Sequence, residues 1–149
     1  QEQVRVFESV REAAEFLSTT EGKILITTGS KELKEYTKIG NYQERCFARV
    51  LSTKAAMEES VRLVFEGKHL IAMQGPFSEE MNLALLHQTR ARYFVTKESG
   101  KAGGFEEKLK AAKKAGAVLI VIGRPQERGR SVQEVCHFIE SNFGKKEQE

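Results

Sequence analysis

Short apolar runs alternate regularly with amphipathic windows along this chain. Five runs, rich in β-branched and aromatic residues, are candidate strands: Lys23–Thr27, Arg45–Leu51, His69–Met73, Arg92–Thr96 and Ala117–Ile122. Each run is almost continuously apolar, whereas a strand with one face in water alternates apolar and polar side chains. The pattern therefore predicts five strands that are covered on both faces.

The windows between these runs carry signals for helix starts. Ser9 with Glu12, and Ser131 with Glu134, have the spacing of a capping box, in which a hydroxyl accepts a hydrogen bond from an unpaired backbone N–H. Ser78 precedes two glutamates, whose negative charge favours the positive end of a helix dipole. These signals predict helices in three of the windows.

Strands that alternate with helices are joined by right-handed crossovers, which build a parallel sheet with helices on both faces. We therefore expect an α/β protein with a single Rossmann-like, three-layer domain over residues 1–149 and a five-stranded parallel sheet. Residues 144–149 are polar and are expected to form a frayed tail.

Composition narrows the classes of function. The 149 residues are 40% hydrophobic and 30% charged, with a net charge of +3, which is mild for a nucleic-acid-binding protein. No apolar run approaches the ~20 residues of a membrane span, so neither a nucleic-acid nor a membrane partner is predicted. The two cysteines and three histidines lack metal-ligand spacing, so we expect no metal site and a reducing, cytoplasmic location. Asp is absent, which argues against Asp-based triads and most magnesium-phosphoryl sites.

Small, hydroxyl-bearing and cationic residues follow every predicted strand. In chain order, the segments that follow the strands are TTGSKEL, STK, QGPFSEE, KESGKAGG and GRPQERGR. The carboxyl ends of parallel strands meet at one edge of a sheet, so these segments are expected to converge. Glycine backbone, hydroxyls and cationic side chains together suit a phosphate or a carboxylate. Each segment alone could also be a plain turn, with Ser30, for example, as a helix N-cap.

A dinucleotide site of the strict type is not indicated. TTGSKEL has one glycine where the dinucleotide fingerprint has three, and no Walker sequence is present. The second predicted strand is followed by Ser52, Thr53 and Lys54 rather than by the acidic residue that binds the ribose of NAD. If a dinucleotide binds, NADPH is therefore the expected cofactor.

The chain resembles the precorrin-6A reductase family of cobalamin biosynthesis in five segments: LITTGSKEL, ARVL, AMQGPFSEEMNLAL, YFVTKESGKAGGFEEKLKAA and VLIVIGRP. The resemblance runs from about Lys23 to Pro125. It implies an NADPH-dependent oxidoreductase that reduces a ring double bond of precorrin-6A or of its cobalt form. Family members normally carry a further N-terminal half, so the chain resembles the C-terminal domain and the missing half is an implied partner. One departure is Ser52, which stands where the family usually has proline.

The resemblance also implies site residues in several loops. Those expected to contact a cofactor or substrate anion near the first helix are Thr28, Gly29, Ser30 and Lys31. Those expected to shape the cleft wall are Gln74, Gly75, Pro76, Phe77 and Ser78. Those expected to hold a phosphate, or a carboxylate of the tetrapyrrole substrate, are Thr96, Lys97, Ser99, Gly100, Lys101, Gly103 and Gly104, with Arg124 at the rim. Lys97 and Glu98 are candidates for a general acid by location only.

Two other interpretations stay open at this point. The chain could be a binding module that holds a nucleotide or tetrapyrrole without catalysis. It could also be a structural domain whose decorated loops only cap helices. Binding of NADPH would separate these interpretations, because a ligand of the native state raises the unfolding temperature.

Overall fold

The computed structural model describes residues 3–97 and 104–123, in which six strands form one sheet. The strands are β1 (Val4–Phe7), β2 (Lys23–Ile26), β3 (Cys46–Val50), β4 (Leu70–Ala72), β5 (Ala91–Lys97) and β6 (Val118–Ile122). Their order across the sheet is β1-β6-β5-β2-β3-β4, and every neighbouring pair is parallel. The α/β class and the parallel sheet are confirmed.

Helices occupy the connections between the strands. They are α1 (Val10–Leu17), α2 (Tyr42–Arg45), α3 (Lys54–Arg62), α4 (Glu79–Thr89) and α5 (Phe105–Ala115). Two 3-10 helices, Leu33–Lys38 and Gly67–His69, precede α2 and β4 respectively. The connection after β2 therefore begins with a 3-10 helix, where a Rossmann fold ordinarily has its first long α-helix.

The prediction of five strands missed β1. Its sequence, VRVF, is short and is interrupted by Arg5, so it lacks the continuous apolar run that marks the buried strands. The structure explains this pattern, because β1 is partly buried and, among the described strands, lies at the edge of the sheet and pairs with β6 alone. The five predicted strands correspond to β2 through β6, and no end differs by more than one residue.

Two apolar cores lie on opposite faces of the sheet. On one face, Ile24 and Ile26 of β2 pack with residues of α1, the first 3-10 helix and α3. On the other face, Leu25 of β2 packs with residues of α4 and α5, including Leu86 and Leu109. Side chains of successive strand residues point to opposite faces, so covering both faces requires the unbroken apolar runs seen in the sequence.

The chain changes direction at the centre of the sheet, between β2 and β5. From β2 it continues to β3 on one side, and from β5 it continues to β6 on the other. The helices of these two connections cover opposite faces. At such a switch point the two connections separate and leave a crevice beyond the carboxyl ends of the strands, which is where ligands bind in this architecture.

Two of the predicted helix caps are present. The Ser9 hydroxyl accepts from the N–H of Glu12 at 3.1 Å, and the Ser78 hydroxyl accepts from the N–H of Met81 at 3.1 Å. The Glu12 carboxylate accepts from the N–H of Glu8 at 3.2 Å rather than from that of Ser9, so the first capping box is displaced by one residue on that arm. Ser131 and Glu134 lie outside the described residues.

Within residues 3–97 and 104–123, no helix combines the length and apolar character needed to cross a membrane. In the same part of the chain, no group of three or more His, Cys or acidic residues is arranged to hold a metal ion.

Leu25 tests how much of the stability resides in the core between β2 and the α4–α5 layer. Its side chain is fully buried, and we expect Leu25→Ala to lower the free energy of unfolding by about 2–5 kcal/mol, from lost burial and the cavity that remains. The matched control is Leu51→Ala, because Leu51 is 53% exposed and the same truncation should change stability by less than about 1 kcal/mol. Urea denaturation of both variants makes the comparison, and equal losses would contradict the assignment of the core.

Cys46 predicts how stability depends on alkaline pH. Burial raises the pKa of its thiol to about 12, whereas the pKa of a cysteine in an unfolded chain is about 8.5. Above that lower pKa the unfolded chain loses a proton that the folded chain keeps, so the free energy of unfolding should fall as pH rises from about 8.5 towards 12. Cys46→Ala should reduce this slope between pH 8.5 and 10, measured by urea denaturation. An unchanged slope would show that another group causes it.

Candidate functional site

The segment that follows β2 is fixed to β5 and to the first 3-10 helix. The backbone N–H and the hydroxyl of Thr27 both donate to the carbonyl oxygen of Val95, at 2.9 and 2.6 Å. The hydroxyl of Thr28 lies 2.8 Å from the phenolic oxygen of Tyr36, which is fully buried. Burial raises the pKa of Tyr36 above its ordinary value, so its phenol stays protonated at neutral pH.

Gly29 turns the chain away from the sheet. Its φ of +93° lies in the left-handed region that favours glycine, and no atom lies within 4 Å of where a Cβ would stand. Ser30 follows but does not begin a helix, because the next element starts at Leu33 and has no side-chain cap. The interpretation of Ser30 as an N-cap is therefore wrong, because the element that follows is a 3-10 helix with Glu32 at its N-cap position. The physical reason is the tight turn from Ser30 to Leu33, closed by a hydrogen bond of 3.2 Å from the N–H of Leu33 to the carbonyl of Ser30.

The N-terminus of α3 supplies the helix end that the β2 connection lacks. The hydroxyl of Thr53 accepts from the N–H of Ala56 at 3.1 Å and caps the helix. The backbone N–H groups of the first turn and the positive end of the helix dipole point beyond the carboxyl end of β3. An anion at this position would be favoured by both.

Two lysines lie near the end of β5, one in the strand itself and one in α5. Lys97 forms an ion pair with Glu32, which belongs to the segment after β2. Lys108, in the second turn of α5, donates from Nζ to the hydroxyl of buried Thr96 at 2.6 Å. Gly104 begins α5 with a φ of +94°, and its N–H donates to the Glu107 carboxylate at 3.0 Å.

These segments enclose a cleft of about 580 Å³. Its walls are residues 28–32 after β2, Leu51 and Thr53 after β3, the first two turns of α3 as far as Glu59, and Lys97 at the end of β5. Glu59 is already engaged, because the hydrogen-bonded guanidinium of Arg62 holds the pKa of that carboxyl below its ordinary value. Lysine, hydroxyl and helix N-terminal donors thus face one cavity, which we define as the switch-point cleft.

The loop after β4, residues 73–78, lies at the same edge of the sheet but does not line the switch-point cleft. The side-chain oxygen of Gln74 accepts from both the N–H and the hydroxyl of Ser52, each at 3.1 Å, which ties this loop to the loop after β3. The peptide bond between Gly75 and Pro76 is cis. Phe77 stacks on the guanidinium of Arg49, and Ser78 caps α4.

The predicted site residues therefore separate into groups. The residues at the switch-point cleft are Thr28, Gly29, Ser30, Lys31 and Lys97, with Thr96 buried beside it. The residues in or next to the β4–α4 connection are Gln74, Gly75, Pro76, Phe77 and Ser78, and Gly104 starts α5. The residues outside the described part of the chain are Glu98, Ser99, Gly100, Lys101, Gly103 and Arg124.

Sequence reasoning missed four residues that belong to these groups: Glu32, Arg49, Asn82 and Lys108. Glu32 lies within TTGSKEL and Lys108 within YFVTKESGKAGGFEEKLKAA, but their contacts are with residues 65 and 12 positions away, and no role was predicted for either. Arg49 was available as a signal, because it is the one charged residue inside an otherwise apolar run, Cys46–Val50. A charge that interrupts a buried strand requires a partner, and this could have been noticed.

Comparisons with known proteins agree with the fold and indicate a family. The profile of the family described as precorrin-6x reductase CbiJ/CobK matches residues 1–140. The cobalt-precorrin-6A reductase of Priestia megaterium is 40% identical over 134 residues, covering 86% of this chain and 52% of that protein. The cobalt-precorrin-6A reductase of Salmonella typhimurium is 37% identical over 117 residues, covering 78% and 44% respectively. The chain thus spans about half the length of the curated relatives it matches.

A solved structure of CobK precorrin-6A reductase superposes on the chain with a TM-score of 0.64. The two share 19% sequence identity, and the match covers 94% of this chain and 56% of that one. At this identity the likeness supports the fold and carries no information about individual side chains.

Tyr36 predicts how firmly the segment after β2 is anchored. We expect Tyr36→Phe to lower the free energy of unfolding by about 1 kcal/mol, because Thr28 loses its hydrogen-bond partner. The matched control is Tyr93→Phe, since Tyr93 is also buried but no hydrogen bond of its hydroxyl is found among the described residues. Thermal unfolding of both variants provides the measurement. A loss in the Tyr93 variant as large as that in the Tyr36 variant would remove the assigned role of the Thr28 contact.

Proposed function

Because the chain belongs to the precorrin-6x reductase family, we propose that it forms one wall of the active cleft of an NADPH-dependent reductase in cobalamin biosynthesis. The reaction is the reduction of a ring double bond of precorrin-6A or of its cobalt form. The observation that carries the proposal is the switch-point cleft, where Ser30, Lys97 and the N-terminus of α3 face a shared cavity.

The donor set of the cleft fits the phosphates of a dinucleotide. Lys31 and Lys97 supply positive charge, and Ser30 supplies a short-range hydroxyl. Gly29 lets the backbone approach a ligand closely, since open space lies where its Cβ would be. The N-terminus of α3 adds unpaired N–H groups, which compensate for the absence of a long helix after β2.

NADPH is favoured over NADH by the end of β3. Residues 51–56 include the hydroxyls of Ser52 and Thr53 and the ammonium of Lys54, and they contain no carboxylate. NAD enzymes use a carboxylate at this position to bind the ribose hydroxyls, whereas a phosphorylated ribose requires donors and positive charge. The residues present suit the phosphorylated form.

The protein's part in the reaction is positioning and electrostatic stabilisation. When bound, NADPH supplies the hydride, so no protein nucleophile is required. Lys97 holds an anionic group of cofactor or substrate after exchanging its contact with Glu32 for the ligand. Among the described residues, Lys97 is also the candidate for the proton donor, because its ammonium group lies at the end of β5 beside the cleft. Ser30 and the amides around it orient the ligand against the wall formed by α3.

A second candidate function is a binding module that holds nucleotide or tetrapyrrole without turnover. The observation that favours it is length, since the chain spans about half of its curated relatives. A single-turnover assay that follows NADPH absorbance with precorrin-6A distinguishes the two. Oxidation of NADPH supports the reductase, whereas tight binding of NADPH without oxidation supports the module.

Lys97 tests the assignment of the cofactor. We expect Lys97→Ala to raise the dissociation constant for NADPH by about tenfold, because the ligand loses a charge-assisted contact and meets an unpaired Glu32. The matched control is Lys68→Ala, since Lys68 is an exposed lysine in the 3-10 helix before β4, at the opposite edge of the sheet. Calorimetric titration measures both variants. Equal affinities would remove Lys97 from the cofactor site.

A further inference from the structure

Arg49 is a buried cation that no carboxylate neutralises within the described part of the chain. It lies in β3, opposite Ile71 of the edge strand β4, and only 5% of its surface is exposed. No salt bridge involves it among the described residues, whereas Arg62 and Lys97 each pair with a glutamate. Burial lowers the pKa of Arg49 to about 10, so the guanidinium still carries its charge at neutral pH. A buried charge without an ion-pair partner is costly, so its presence at this position requires an explanation.

The surroundings of Arg49 hold it in one orientation. Its Nη1 donates to the side-chain oxygen of Asn82 at 2.7 Å, and Asn82 is itself fully buried in α4. Its Cζ lies 3.7 Å from the centre of the Phe77 ring, so one face of the guanidinium is covered by the loop after β4. Among the described residues, the other N–H groups of the guanidinium have no acceptor. The side chain is therefore oriented, and most of its donors remain available.

The segment QGPFS, residues 74–78, places the Phe77 ring over the Arg49 guanidinium. A Cβ at Gly75 would lie 3.1 Å from the ring of Phe77, so a larger residue there would displace the ring by a few tenths of an ångström. Gln74 attaches the start of the loop to Ser52, and the Ser78 cap attaches its end to α4. The two ends are anchored, while the residues between them carry the ring that covers Arg49.

A second polar group beside Arg49 also lacks a partner. The side-chain nitrogen of Asn82 is buried and has no hydrogen bond. Among the described residues, it is the only buried side-chain nitrogen or oxygen without one. Its oxygen is used to hold Arg49, which directs the amide nitrogen elsewhere. A native protein leaves few such atoms unsatisfied, and each one calls for an explanation.

We propose that Arg49, held by Asn82 and covered by Phe77, is a binding site for a carboxylate or phosphate group of a ligand. The group would meet the free edge of the guanidinium, which is suited to planar, two-point contact with an oxyanion. Arg49 does not line the switch-point cleft, so this is a second anion site at the same edge of the sheet. The proposal rests on the proposed function only for the ligand's identity, because the tetrapyrrole carries carboxylates and NADPH carries phosphates.

A purely structural role for Arg49 makes a different prediction. If the guanidinium only clamps β3 to α4, removing it should destabilise the protein whether or not an anion is present. If it waits for an anion, replacing it with an apolar side chain of similar length should leave the ligand-free protein equally stable or more stable. Arg49→Met separates these two cases.

The experiment measures the midpoint of thermal unfolding of the chain against inorganic phosphate and against glutarate, with sodium chloride at equal ionic strength as the reference. We expect a saturable rise for the unchanged chain, and in Arg49→Met a loss of at least about tenfold in the apparent affinity for the anion that produces it. A response to phosphate assigns the site to a phosphate source, and a response to glutarate assigns it to a carboxylate source. A rise that Arg49→Met leaves intact, or the absence of any rise, would overturn the proposal.

Asn82→Asp provides an independent variant of nearly identical shape. It places a carboxylate beside the guanidinium, so we expect a higher midpoint without added anion and a weaker response to phosphate or glutarate. A lower midpoint together with an unchanged anion response would contradict the proposal, even if Arg49→Met does not fold. Failure of the Lys97 test with NADPH leaves these outcomes unaffected, because both variants lie outside the switch-point cleft and each is judged by the part of the anion response that it removes.

Discussion

The parallel pairing of β2 with β5 is the interaction on which the arrangement of loops at the carboxyl ends of the strands depends. Thr27 extends the pairing beyond the last residue of β2 by donating twice to the carbonyl of Val95. The pairing places the segments after two strands that are far apart in the sequence beside each other. Since the chain leaves β2 and β5 in opposite directions, the space between the two exits stays open, and the switch-point cleft forms there.

Glutamates of the chain pair with two of the cations beside the cleft. Lys97 pairs with Glu32 and Arg62 pairs with Glu59, whereas Lys31 has no ion pair among the described residues. Exposed ion pairs of this kind contribute little to stability, which makes them easy to exchange for a ligand. Arg49 differs from them, because it is buried and its neutral partner Asn82 cannot compensate its charge.

The sequence predicted the parts of the fold that follow from local pattern. Continuous apolar runs located β2 to β6, and the Ser78 signal located the start of α4, because burial on both faces and helix capping each leave a mark in neighbouring residues. β1 was missed because an edge strand with Arg5 at its centre lacks that mark. Ser30 was misjudged because the difference between a helix start and a tight turn depends on where the following residues pack. The exchange between Lys97 and Glu32, and the burial of Arg49, depend on tertiary contacts over long sequence separations, which no local pattern records.

The side chain of Gln74 connects the loop after β3 to the loop after β4. Its oxygen accepts both hydrogen bonds from Ser52. The loop that covers Arg49 and the loop that precedes α3 are therefore joined at this one side chain. An occupant that displaces one loop would stretch these two hydrogen bonds to the other, and any coupling of this kind is equal in both directions. Displacement of either loop by an occupant would then link the proposed Arg49 site to the switch-point cleft.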